Sequence, residues 1–288
     1  MIRRGAVIAL AVCALLTTAA QRLPAQQVKE VEKEFTVPVE QILEASIKGD
    51  IGELFVRSSR EDYQGTVLSV YDPENFDFDY FYDEEYYELF VTLDKEDFFK
   101  SMDVKEDDAN IEVFLPRNIS TNLDIGIKAG VIELDLTDIS LKNFELDSWA
   151  GQTIVKFGNP NKESMDFMKV DVNFGEMRLE KIGNARFESC NIDGGIGSLY
   201  ADLSGDYTEG EHFVRIDMDI GEAEIDLPED IGIRLSVSKP PLIGQLEMHN
   251  DLVKRGRYYY SRNFDDAPVK LILRIEMGIG VCTINQWD

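Results

Sequence analysis

Gly130-Val131-Ile132-Glu133-Leu134 is followed by Gly151-Gln152-Thr153-Ile154-Val155, Gly175-Glu176-Met177-Arg178-Leu179, Gly197-Ser198-Leu199-Tyr200-Ala201 and Gly221-Glu222-Ala223-Glu224-Ile225. The five glycines are 21, 24, 22 and 24 residues apart. Outlying copies begin at Gly52 (Glu53-Leu54-Phe55-Val56) and Gly280 (Val281-Cys282-Thr283-Ile284). At the second and fourth positions after each glycine, thirteen of fourteen residues are apolar, Thr153 being the exception, and none is charged. The first and third positions carry six charges, namely Glu53, Glu133, Glu176, Arg178, Glu222 and Glu224. Strict period-two alternation with one apolar side is the pattern of a half-buried strand. The glycine supplies a corner that a Cβ would forbid.

A repeat of about 22 residues, holding short strands and a glycine corner, predicts an all-β fold of β-solenoid type, because one rung cannot bury its apolar row alone. Leu136, Leu203 and Leu227 carry that row one step further. A β-sandwich with regular strand spacing is the competing fold. A 3.6-residue period is sustained nowhere, and Gln41–Ser46 is the one weak helical candidate. Cys190 and Ile192 share a parity that Phe187 breaks, which implies a kink.

The chain divides into three expected parts. Residues 1–25 read as an export signal, with Arg3 and Arg4 before the apolar run Ala6–Leu16 and small residues at Ala20 and Ala25 for cleavage. Residues 26–117 hold N-terminal strands and an acidic, aromatic cap, and residues 118–288 hold the solenoid. The apolar run is short of the roughly 20 residues that span a bilayer. Lipidation at Cys13 is disfavoured by the bulky Val12 before it. The mature protein is therefore expected to be exported and soluble, in the periplasm or at the cell surface. Cys190 and Cys282 remain, and their apolar contexts place both in the core.

With 55 acids against 29 Lys and Arg, the formal net charge is −26. That excludes nucleic acid as a partner, since such binding rests on neutralising phosphates. Two histidines and no paired-cysteine motif leave little for a zinc site or a histidine triad. Neither histidine reads as a base, and His212, in a turn-rich stretch, is expected on the surface. Gly194-Gly195-Ile196-Gly197 begins like a calcium-binding β-roll repeat, but Leu199 stands where that repeat needs its aspartate.

Three stretches carry a resemblance: Gly158–Tyr207, with its Gly183-Asn184-Ala185; Val214–Ser238, with Asp226-Leu227-Pro228; and Tyr258–Asn285, with a final Gly278-Ile279-Gly280. They resemble the bacterial toast-rack proteins. The latter two are also similar to the C-terminal domain of LiaF-like cell-wall-active antibiotic response proteins. The resemblance implies a mostly parallel β-solenoid at or outside the cell envelope, acting in binding, sensing or scaffolding. It brings no catalytic residues and no cofactor.

Two surfaces stand out as candidate binding sites. Tyr71–Phe90 holds nine aromatics and eight acids, with Phe76, Phe78, Tyr80 and Tyr82 alternating with Asp77, Asp79, Phe81 and Asp83. On a strand this separates an aromatic face from a carboxylate face. The leading reading is a solenoid cap whose acids discourage edge pairing and whose apolar supply includes Phe90. A calcium site built from the acids and an aromatic platform for glycan or peptide stay open, with Phe76, Asp77, Asp79 and Tyr82 as contact residues. The second surface is Lys254–Arg262, where Arg255, Arg257 and Tyr259 could meet an anionic glycan or lipid headgroup. The partner class is an envelope protein or glycan, with self-association through the solenoid ends as a further route. Outward Glu133, Glu176 and Glu222 on adjacent rungs raise the alternative of a carbohydrate-active enzyme, and a surface adhesin is the other.

Overall fold

The computed structural model describes residues 28–95, 109–240 and 244–286; the expected export signal lies outside them. In chain order the strands are β1 (Lys29–Thr36), β2 (Ile42–Ser58), β3 (Gln64–Tyr71), β4 (Phe76–Asp83), β5 (Glu88–Lys95), β6 (Ala109–Leu115), β7 (Ser120–Asp135) and β8 (Ser140–Lys156). They continue with β9 (Met165–Glu180), β10 (Phe187–Asp202), β11 (Gly210–Asp226), β12 (Gly232–Ser238), β13 (Gly244–His249), β14 (Val253–Arg255), β15 (Tyr258–Tyr260) and β16 (Val269–Asn285). The fold is a β-solenoid. Gln41–Ser46, expected as weakly helical, lies mostly in β2: Leu43, Ala45 and Ile47 are buried at period two, which a helix cannot satisfy.

Each full rung is one strand of 16 or 17 residues bent in the middle, rather than the short separate strands expected. The bend falls at the glycine. Gly52, Gly130, Gly151, Gly175, Gly197, Gly221 and Gly280 are stacked in register with φ between +131° and +150°. A Cβ on any of the last six would be driven into the carbonyl oxygen of the preceding glycine in the stack. The corner also solves a parity problem. Buried positions lie two and four residues after the glycine, but three, five and seven before it, as with Cys190, Ile192 and Gly194 against Leu199 and Ala201. Simple alternation cannot connect those sets. The unpaired residue two before each glycine takes up the difference, as Gly195 does in β10.

One ladder shows how the core is built. Ala45, Leu123, Phe144, Met168, Cys190, Val214, Leu273 and Leu235 stack as direct neighbours, all buried. Cys282 sits likewise between Ala223 and Leu246. Both cysteines are free thiols on different legs of the rungs. The turns close the third side, with Leu136, Ile139, Phe157, Leu203 and Leu227 buried. Asn184, in the short 3-10 turn Ile182–Ala185, donates to the Phe157 carbonyl at 2.9 Å and accepts from the Asp206 N–H at 2.9 Å, tying three successive turns together. Phe187 is buried at the broken parity, and the pairing skips Glu188, so the implied kink is present.

The two ends depart from chain order in the same way. At one end β2 lies between β7 and an outer rung split into β5 on the first leg and β6 on the second. At the other, β16 lies between β11 and an outer rung split into β12 and β13. Antiparallel strands then close the ends: β4 on β5, β3 on β6 with β1 outermost, and β15 on β12 with β14. Nine stacked rungs at about 4.8 Å span roughly 38 Å. Among the described residues no helix is long and apolar enough to cross a membrane.

His212 corrects the expectation of a surface residue. It is 3% exposed, with Nδ1 2.6 Å from the Phe187 carbonyl oxygen and Nε2 2.8 Å from that of Thr208. It packs on Tyr207 and Phe187 as a strut between turns.

Candidate binding surfaces

At the β4 end, Phe76 is buried, while Phe78, Tyr80 and Tyr82 are half-buried against the core. Alternation on β4 directs their rings inward, toward β1 and β3. Tyr82 lies 5.3 Å from Phe35 and Phe78 5.8 Å from Tyr71, centroid to centroid. The Tyr82 hydroxyl donates to the Thr36 carbonyl at 2.7 Å, and that of Tyr80 to the Glu34 carbonyl at 3.3 Å. Burial pushes the Tyr82 phenol up to about 12. These aromatics are spent on closing the solenoid. Phe90, assigned above to the same apolar supply, points the other way and is exposed beside Phe81.

Asp77 and Asp79 are exposed on the opposite side of β4. Asp77 faces Asp94 across the strand pair, and burial together with Asp50 raises the Asp94 carboxyl. The Lys128 ammonium is paired with Asp50 at this spot. Asp83 lies six residues along β4 from Asp77, about 20 Å away at strand rise, so those acids do not converge. Asp83 instead accepts the N–H groups of Glu85 and Tyr86 in the β4–β5 turn. Among the described residues no group of three His, Cys, Asp or Glu side chains is placed to hold a metal.

Arg255, Arg257 and Tyr259 lie at the other end, on and beside the β14–β15 hairpin, roughly 38 Å away. The structure therefore does not bring the two candidate groups together. Arg257 stacks over Tyr258 at 4.8 Å and Arg255 over Tyr260 at 5.2 Å, and Arg255 also pairs with Asp265 at 3.2 Å. Tyr259 packs on the core. Both arginines keep solvent-exposed faces.

Glu133, Glu176 and Glu222 do not form adjacent pairs. Glu176 and Glu222 share a row but have Ser198 between them, and Glu133 stacks in the row of Ile154 and Arg178. Glu176, Arg178, Ser198, Tyr200 and Glu222 line a shallow depression on the second leg, with Arg178 stacked over Tyr200 at 4.3 Å.

A third surface was not singled out from the sequence. The residue before each glycine is Ile51, Ala129, Ala150, Phe174, Ile196, Ile220 or Ile279, apolar in every rung. From Phe174 onward these side chains are exposed in a line along the corner, joined by Trp149. The signal was readable as one more fixed position in the repeat.

A family model for the N-terminal domain of toast_rack, DUF2154, matches residues 24–180, more than half of the chain. The chain belongs to the toast-rack family. Among curated proteins none matches it. Solved structures of similar outline include a candidate cell adhesion protein from Clostridium sporogenes, 19% identical, covering 90% of this chain and 100% of its own, with a TM-score of 0.43. Another is a candidate adhesin from Bacteroides fragilis, 12% identical, covering 90% and 97%, with a TM-score of 0.39. A candidate lipid binding protein from Parabacteroides distasonis is 11% identical over 90% and 97%, with a TM-score of 0.29. At that distance the toast-rack chain takes no functional assignment from them.

Proposed function

We propose that this toast-rack chain is an exported, non-enzymatic binding module of the bacterial envelope, in the periplasm or at the cell surface. One observation carries the reading: the rungs put apolar side chains inward, and their outward side chains run as straight rows along the axis. Asp147, Asp171, Asp193, Asp217 and Glu276 are one such row, with neighbours one rung apart. Rows at a fixed pitch offer repeated identical contacts to an extended partner, and loops need not be organised for the purpose. The export-type residues 1–25 support the location.

The test uses the chain from residue 26 onward, incubated with washed envelope fractions and sedimented. Co-sedimentation without release of reducing sugar or peptide ends is the expected result. Time-dependent release of such ends would overturn the non-enzymatic reading, and absence from every pellet would overturn the binding reading. A fusion of residues 1–30 to a reporter active only outside the cytoplasm should give signal, and a silent fusion would refute export.

A further inference from the structure

The corner of the solenoid carries an exposed apolar ridge with acids on both sides. Trp149, Phe174, Ile196, Ile220 and Ile279 are 60%, 41%, 46%, 41% and 48% exposed. They occupy five consecutive rungs, a line of about 19 Å at strand spacing. The backbone puts them there: Ala150, Phe174, Ile196, Ile220 and Ile279 are successive Cα partners, and Trp149 packs edge-on against Phe174 at 5.3 Å. Isolated exposed apolar residues are ordinary on a protein surface, but a contiguous row is not.

The flanks are acidic. Asp171, Asp193 and Asp217 run beside the ridge on the first leg, and Glu176 and Glu222 on the second. Across β9, β10 and β11 no outward position within three residues before or two after a ridge residue is Lys or Arg. Lys169 is engaged with Glu145 and Asp147, and Arg215 with Asp217 and Glu276. Burial first, and neighbouring carboxylates after it, raise both Asp171 and Asp193, against a partial lowering by Lys169 and, at Asp193, by Arg215. The hollow beside Trp149, lined also by Asp147 and Asn173, holds Lys48 and Lys128 as well, each paired with a carboxylate, Asp124 and Asp50 respectively.

We propose that this ridge docks a cationic amphipathic helix of another protein, lying along the solenoid axis. Charge selects the occupant. A second copy of the chain would set the same acid rows against each other, and an anionic lipid surface would be repelled likewise. A helix with one apolar stripe and Lys or Arg on both sides matches ridge and flanks together. The pitch agrees as well: a helical turn rises about 5.4 Å against about 4.8 Å per rung, so three to four turns cover the ridge. The inference rests on the binding-module reading and gives it a partner class.

The probe is a synthetic Leu/Lys amphipathic helix of about 18 residues, long enough for the ridge. Controls are a Leu/Glu helix and a Lys/Ser peptide of equal positive charge. The chain from residue 26, carrying Trp287→Phe, leaves Trp149 as its one tryptophan and an internal reporter. The Leu/Lys helix should shift Trp149 emission and the two controls should not. Ile196→Ser with Ile220→Ser, both on exposed sites, should weaken binding about tenfold or more, as should Asp171→Asn with Asp193→Asn. Equal binding of the Lys/Ser peptide, or unchanged affinity in both variants, would overturn the proposal. So would a ridge variant that changes only the oligomeric state in size-exclusion chromatography. The envelope sedimentation assay separates the two claims: if ridge variants still sediment, the ridge is wrong and the binding module stands. If the unaltered chain never sediments, the broader reading fails first.

Discussion

A methyl group placed on Gly175 would collide with the carbonyl oxygen of Gly151, at a backbone φ of +134° that L residues rarely adopt. Gly175→Ala should therefore cost several kcal/mol in chemical denaturation, the scale of a strained, overpacked site, although the residue removed has no side chain. Thr153 is the opposite case. It is the one polar member of the buried rows after the glycines, and its hydroxyl has no hydrogen-bond partner among the described residues. Thr153→Val removes that unmet group at nearly constant shape and should raise stability by about 1 kcal/mol; a loss would mean the hydroxyl is satisfied. Alkaline pH probes the buried thiols. Burial raises Cys282 from 9.0 to about 12 and Cys190 further. Above pH 9 the unfolded chain releases these protons while the fold retains them, so stability is intact below that point and falls as pH rises toward 12. The slope is at most about 1.4 kcal/mol per pH unit per thiol. Melting between pH 7 and 11 should show this decline, made shallower in Cys282→Ala; an identical slope in that variant would contradict the assignment.

At the scale of elements, the aromatic face of β4 covers the apolar cross-section at its end of the solenoid, and a lid is the role expected of it. Phe78→Ala with Tyr80→Ala should lower stability by about 2–5 kcal/mol, the usual range for large-to-small changes in packed positions. Asp77→Asn and Asp79→Asn should be close to neutral, and added calcium should leave the melting temperature of all three proteins unchanged. A calcium-dependent rise lost in the Asp→Asn variants would make this end a metal site. The sequence made the aromatic face of β4 legible because alternation alone separates Phe76, Phe78, Tyr80 and Tyr82 from Asp77 and Asp79. It did not separate Phe90, whose side depends on how β5 pairs with β2, a contact more than forty residues distant. The rows after each glycine were readable from local pattern. The rows before it were not, since the corner reverses their parity and hides them from any single alternation frame. His212 was missed for a related reason: its neighbours read as a turn, but its ring is held by carbonyls contributed from Phe187 and Thr208.

For the whole molecule, the departure from chain order at both ends matters most. The 78-residue gap between Gly52 and Gly130 and the 59-residue gap between Gly221 and Gly280 look in sequence like interruptions of the repeat. In the fold they close up, because β2 and β16 each take the place next to the regular stack and leave the split rung outside. Each end thereby gains a full-length apolar rung before the shorter outer pieces begin, and the glycine column runs on without a break from Gly52 to Gly280 and Gly244. Local pattern cannot report this, since it specifies which residues face inward but not which rung lies beside which. Disulfide trapping reads that neighbour relation directly, because a bond forms only when Cα atoms lie about 4.4–6.8 Å apart. Glu222 on β11 is the partner of Val281 on β16, and Val281 is in turn the partner of Gln245 on β13. The measurement is oxidative cross-linking of the folded double variants Glu222→Cys/Val281→Cys and Glu222→Cys/Gln245→Cys, followed by mass spectrometry of the linked peptides. The intercalated solenoid predicts a rapid link between positions 222 and 281 and none between 222 and 245. A link between 222 and 245, with 222 and 281 left reduced, would mean that the rungs follow chain order and would contradict the account.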